Sequence, residues 1–239
     1  MNGLFNPQYI WQAIPQIIQG IPNTLLITFV GFLFGSIIGF ACAMIRIRKT
    51  PVVNQIIGGY ISFIRGTPLL VQIFIAYYGV PIIIEQTDLL FGTSTDISGI
   101  PALVFVIIAF ALNSGAYLAE TFRSAILSVP RGQMEAALSV GMTERQAMRL
   151  IVLPQALKAG IANITNQFIM MMKDTSLAFT AAVAEIMGEA QIYAGRTSMF
   201  FESYIAAALV YWVLCLMFVA LTSQVERYVR RGETQVVDH

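Results

Sequence analysis

Polar side chains are scarce in this chain, so the places where they gather raise the chemical question. Lys173, Asp174, Thr175 and Ser176 are consecutive and offer both signs of charge with two hydroxyls. Asn113, Ser114 and Tyr117 form a second, neutral group, and Glu120 and Arg123 follow within two turns. Such residues can hold the ammonium and carboxylate of a zwitterionic ligand. The same residues can also serve structure, because adjacent opposite charges neutralise each other and Ser or Thr bonds nearby helix carbonyls. For catalysis the inventory is poor. The chain has one histidine, His239 in the tail, so no Ser-His-Asp arrangement can be assembled. No Gly-x-x-x-x-Gly-Lys-Ser/Thr phosphate loop occurs, and ATP hydrolysis by this chain is not expected. Cys42 and Cys215 lie in apolar runs and read as small buried residues, not as a disulfide or metal pair. Neither a metal site nor a bound cofactor is expected.

The elements that must position these groups follow from composition. Of 239 residues, 57% are hydrophobic and 11% charged, against roughly a quarter charged in a soluble domain, which marks a membrane protein. A bilayer core of about 30 Å needs about 20 apolar residues per helix, and five such spans are predicted, over residues 17–45, 52–84, 101–127, 159–187 and 200–225. The second is an interfacial approach (52–64) and a deeper part (69–84) separated by Gly66, Thr67 and Pro68, which with Arg65 shape a kink. Helices are expected because backbone groups must pair within each segment when no water is present, and the alternating short strands of a barrel are missing.

Positive charge sets an expected orientation. Arg46, Arg48 and Lys49, then Arg131, Arg145, Arg149 and Lys158, then Arg227, Arg230 and Arg231 all fall on one side, which places the C-terminus in the cytoplasm and the N-terminus outside. The first 19 residues carry no Lys or Arg and no obvious cleavage site, so they are read as structure, not as a removable signal. Tyr9 and Trp11, beside Ile10, Ile14, Ile17 and Ile18, suggest a helix lying in the outer interface. Residues 1–232 read as one transmembrane unit with an insert at about 130–158, and 233–239 as a polar tail.

The insert is the longest loop on the positive side. Pro130 can open a helix carrying Glu135, Ala136, Ala137 and Leu138, Gly141 stands where a left-handed residue would stop it, and Thr143 with Gln146 fits a capping box for a second helix expected to end near Leu153, before Pro154. Met134, Leu138 and Met142 can fill an apolar groove. The pattern Glu135-Ala136-Ala137, three residues, Gly141, nine residues, then Ile151-x-Leu153-Pro154 resembles the EAA loop of bacterial ABC-importer permeases. Ser62 to Phe74 (SFIRGTPLLVQIF), Asn113 to Gln133 (NSGAYLAETFRSAILSVPRGQ) and Lys173 to Ala178 (KDTSLA) are similar to the polar amino acid uptake branch. The resemblance covers nearly all of the chain.

It implies an all-α, MetI-like (type I) permease fold in the bacterial inner membrane. The implied partners are a second permease copy or paralogue, two ABC ATPases that use ATP and Mg, and an extracytoplasmic solute-binding protein; membrane lipid surrounds the chain and no nucleic acid is involved. Glu135, Ala136, Ala137, Leu138, Gly141 and Met142 would then couple to the ATPase. Cystine, glutamine and basic amino acids are all open as substrate. Depth counting from residues 101 and 161 places Asn113 about 18 Å in from one side and residues 173–176 about 18 to 22 Å in from the other, so Asn113, Ser114, Tyr117, Lys173, Asp174, Thr175 and Ser176 can share a substrate layer. Glu120 and Arg123 read as a gating or packing ion pair, and Arg65 is assigned to the same gating or packing group. An ion-coupled secondary carrier is the rival reading. A DNA-reading helix-turn-helix is disfavoured, because Glu135 and Glu144 offset Arg131, Arg145 and Arg149.

Overall fold

The computed structural model describes residues 5–97 and 99–229. Arg230, Arg231 and the polar tail with His239 lie outside the described residues. The chain folds as helices α1 (Gln8–Ile17), α2 (Ile21–Arg48), α3 (Pro51–Gly66), α4 (Leu69–Phe74), α5 (Val80–Phe91), α6 (Ala102–Leu127), α7 (Arg131–Ser139), α8 (Glu144–Ala147), α9 (Leu153–Asp174), α10 (Ile186–Thr197) and α11 (Phe200–Val229).

At the centre, α2 packs against α6 through small residues. Gly31, Gly35 and Gly39 recur every four residues and so share one face of α2. A Cβ on Gly35 would sit 1.9 Å from Ser114 Oγ, and one on Gly39 would sit 2.8 Å from Leu118 Cβ and 3.0 Å from the Ala119 nitrogen. The two backbones therefore approach more closely than any side chain would allow, the usual route to tight helix contact where lipid supplies no hydrophobic drive. Around this pair, Ile27, Ile73, Phe105, Phe110 and Met171 form one apolar core. A second core, with Ala13, Ile17, Ile186, Ala206 and Val210, joins α1 and α10 to α11.

Among the described residues four helical stretches, not five, are long and apolar enough to cross a membrane: Gln8–Arg48, Leu69–Phe91, Ala102–Leu127 and Phe200–Val229. The span expected over 159–187 is interrupted. Its α9 stops at Asp174, a 3-10 turn runs Thr175–Ala181, Ala182 turns left-handed at φ 59, and α10 starts at Ile186. Two causes are visible. Asn163, Asn166, Gln167, Lys173 and Asp174 make α9 too polar for a lipid-facing span. The hydroxyls of Thr175 and Thr180 donate to the carbonyls of Met172 and Leu177, both at 2.7 Å, and so compete for acceptors at the break.

Pro154, expected to stop a helix, does not, and the span that contains Pro81 also runs on. Leu69–Phe91 and residues 144–174 each continue through a π turn, Ile75–Gly79 before Pro81 and Met148–Val152 before Pro154. The wider turn accommodates a ring that lacks an N–H and would collide with the carbonyl four residues back. The second helix of the insert thus runs past Leu153 into α9.

Candidate functional site

The insert is built as a rigid hairpin. After Pro130, α7 ends on Gly141 at φ 88, with Met142 N–H donating to Ala137 O at 3.2 Å and Gly141 N–H to Leu138 O at 3.0 Å. Those two bonds make a Schellman stop. No atom lies within 4 Å of where a Gly141 Cβ would be, so the backbone angle, not space, requires glycine. The capping box closes as expected: Thr143 N–H donates to Gln146 Oε1 at 2.9 Å and Gln146 N–H to Thr143 Oγ1 at 3.3 Å.

The hairpin has an inner and an outer face. Ala137 and Ala147 are buried, and Met134 packs with Met44, Ile47, Met148 and Leu153 beneath the end of α6. Met134 thus packs on its own chain and also lines the cleft beside the hairpin. Glu135, Ala136 and Leu138 are exposed, Val140 is 76% exposed and Met142 is half-buried. Beside them lies a cleft of about 610 Å³ whose lining includes Arg48, Leu138, Glu144 and Arg145.

A second polar region forms where α3, α4 and α6 meet. Thr67 and Pro68 separate α3 from α4, and the buried Gln72 closes the gap. Its Nε2 donates to Ile64 O at 2.8 Å and to both Thr67 oxygens at 3.0 Å. With the amide nitrogen committed to those acceptors, Gln72 Oε1 accepts from Asn113 Nδ2 at 2.9 Å. One turn along α6, the Arg65 guanidinium lies 5.5 Å from the centre of the Tyr117 ring, within cation–π range. Arg65, Asn113 and Tyr117 are thus brought together, with Gln72, which reading charges and motifs passed over. A lone amide in an apolar run four residues after a proline was the available signal.

The other residues of the expected layer are placed differently. Ser114 is 1% exposed and its hydroxyl donates to Gly31 O at 3.3 Å, so in this conformation it serves the α2–α6 contact. Thr175 is also buried, whereas Lys173 and Asp174 are exposed at the end of α9 and Ser176 is half-buried. The ion pairs among the described residues are those of Glu120, which takes Arg46 from α2 and Arg123 at 3.1 Å. Lys173 and Asp174 do not close into such a pair. Arg46 was read from the sequence only as a loop charge, yet it links α2 to the expected Glu120–Arg123 pair.

Comparison with known proteins finds relatives that match most of the chain. The family described as "Binding-protein-dependent transport system inner membrane component" matches residues 31–231. The chain is 42% identical over 220 residues to the "Probable amino-acid permease protein YxeN" of Bacillus subtilis strain 168, covering 92% of this chain and 94% of that protein. It superimposes on a crystal structure of an amino acid ABC transporter with histidines, at TM-score 0.79 and 34% identity, over 95% of this chain and all of the other. An inward-facing MetNI methionine ABC transporter, 20% identical, shares the fold at TM-score 0.70 over 90% of this chain and 97% of its own.

Proposed function

This chain belongs to the binding-protein-dependent transport system inner membrane component family, and from that premise we propose that it is the path-forming subunit of an importer for a polar amino acid. Membership makes it a multi-pass membrane protein and an ABC-importer permease for amino acids, not the catalytic ATPase. The ion-coupled secondary carrier gives way on the same ground. The finer reading is that the N-terminus is outside and the insert cytoplasmic, where Glu135, Ala136, Leu138 and Val140 seat in a groove of the ATPase. A second permease copy completes the path, and a solute-binding protein delivers substrate from outside. Alternating access then switches the path as ATP binding closes the ATPases.

One observation carries this reading. Residues 144–174 form a helical path without a break, from the capped hairpin to Lys173 and Asp174, roughly 45 Å at 1.5 Å per residue. Displacement of the hairpin by the ATPase is thereby delivered at the polar end of α9. Arg65, Asn113, Tyr117, Lys173, Asp174 and Ser176 supply charges and hydrogen bonds suited to a zwitterion. Cystine, glutamine and arginine are the substrates to try. The test is purification with the ATPase and the binding protein and reconstitution in liposomes. The expected result is copurification with the ATPase and uptake of a labelled amino acid that needs ATP. Accumulation by the chain alone on an ion gradient would refute it.

A further inference from the structure

Glu185 lies where the chain leaves the turn after α9 and enters α10, and its side chain is wholly buried. Neither ion pair of the described residues includes it. Neutral donors hold it instead: Oε1 accepts Gly188 N–H at 2.9 Å, and Oε2 accepts the Tyr211 hydroxyl and, at 3.5 Å, that of Thr24. Capping α10 needs only one acceptor oxygen. The second oxygen therefore does something else, reaching α2 and α11.

Tyr211 carries the connection back to α9. Its single proton goes to Glu185 and that of Thr175 to Met172 O, so the two hydroxyl oxygens meet at 3.4 Å and the Tyr211 ring end packs directly on the start of the turn. Thr175 opens the 3-10 turn and directly follows Lys173 and Asp174. On the other side, a Cβ on Gly20 would fall 2.3 Å from the Glu185 carbonyl carbon, so the backbones of the α1–α2 junction and the α10 entrance touch. Glue of this kind is costly in an apolar setting unless every group is satisfied.

We propose that Glu185 is a positioning residue which, through Tyr211 and Thr175, fixes the turn at the end of α9 and hence the direction in which Lys173 and Asp174 meet the substrate. This rests on the reading of residues 173–176 as part of the path. Removing the link leaves the helices in place but lets the turn adopt other orientations, so ATP is spent without productive transfer.

The measurement is amino acid moved per ATP hydrolysed in liposomes, at equal amounts of assembled complex and saturating binding protein. Glu185→Ala and Tyr211→Phe should lower that ratio about tenfold, equivalent to about 1.4 kcal/mol, and the double variant should be no worse than the poorer single. Glu185→Gln should stay within about twofold of wild type, because its oxygen keeps the Gly188 bond and its amide donates to Tyr211, whose proton then passes to Thr175. Glu202→Ala is the comparison. Glu202 is also a buried carboxylate, 3% exposed and bound to Asn6 N–H at 2.9 Å, but it does not touch the turn. Loss of packing alone would lower the yield of complex without changing the ratio. An unchanged ratio in Glu185→Ala, or an equal fall in Glu202→Ala, overturns the proposal. If Lys173→Met with Asp174→Asn transports as wild type does, the path reading fails and the proposal with it. If that variant is impaired and Glu185→Ala is not, the path reading stands and only the positioning role is lost.

Discussion

Gly141 is the residue on which the insert's geometry turns, because at φ 88 a side chain is strained whatever space surrounds it. A β-branched replacement in that region costs about 1–2 kcal/mol, enough to fray the Schellman stop without touching any span. Gly141→Val should therefore insert and express, yet lose most uptake and the stimulation of ATPase activity by binding protein. Asn tolerates the left-handed region better, so Gly141→Asn should retain a large part of both. Wild-type coupling in Gly141→Val would show that the hairpin's shape is irrelevant to the ATPase. This residue was legible in the sequence because a helix stop needs local chemistry alone. Gln72 and Glu185 were not, since each acts through partners that only the folded chain brings near: Ile64, Thr67 and Asn113 for one, Thr24 and Tyr211 for the other.

Between elements, the α2–α6 contact is set by steric limits. Gly39 has no room for a Cβ against Leu118 and the Ala119 and Gly115 backbone, whereas Gly58 on α3 has open space. Gly39→Val should force the helices apart and lower the melting temperature of the purified complex by several degrees, through overpacking of about 1–3 kcal/mol. Gly58→Ala should leave it unchanged or slightly higher. Equal melting temperatures for Gly39→Val and wild type would mean that the pair is not tightly packed in the assembled protein. The hydrophobic stretches of α2, α6 and α11 were readable because membrane spans declare themselves by length and composition. The break after α9 was not, since the apolar residues on either side of Lys173, Asp174 and Thr175 read as one stretch, although the helix ends at Asp174. The π turns escaped too, because a proline signals an obstacle and not how the backbone goes round it.

At the scale of the whole transporter, the question is whether the end of α9 handles substrate or only holds the assembly together. Lys173 and Asp174 are exposed within this chain and closed into no pair with each other, so in a membrane they must face protein or a water-filled path. If they only balance charge against a second permease, single removal should reduce assembly, and Lys173→Met with Asp174→Asn should restore both assembly and uptake of every substrate. If they hold the ends of an amino acid, the paired variant should assemble but remain at least about tenfold slower in uptake, a loss of about 1.4 kcal/mol in recognition. Asn113→Ala should then change which unlabelled amino acids compete, while the affinity of the binding protein, a separate molecule, stays the same. Uptake and competition measured side by side in assembled complexes decide the matter: full recovery in the paired variant, with an unaltered competition profile for Asn113→Ala, would leave these charges structural and move the substrate path elsewhere in the transporter.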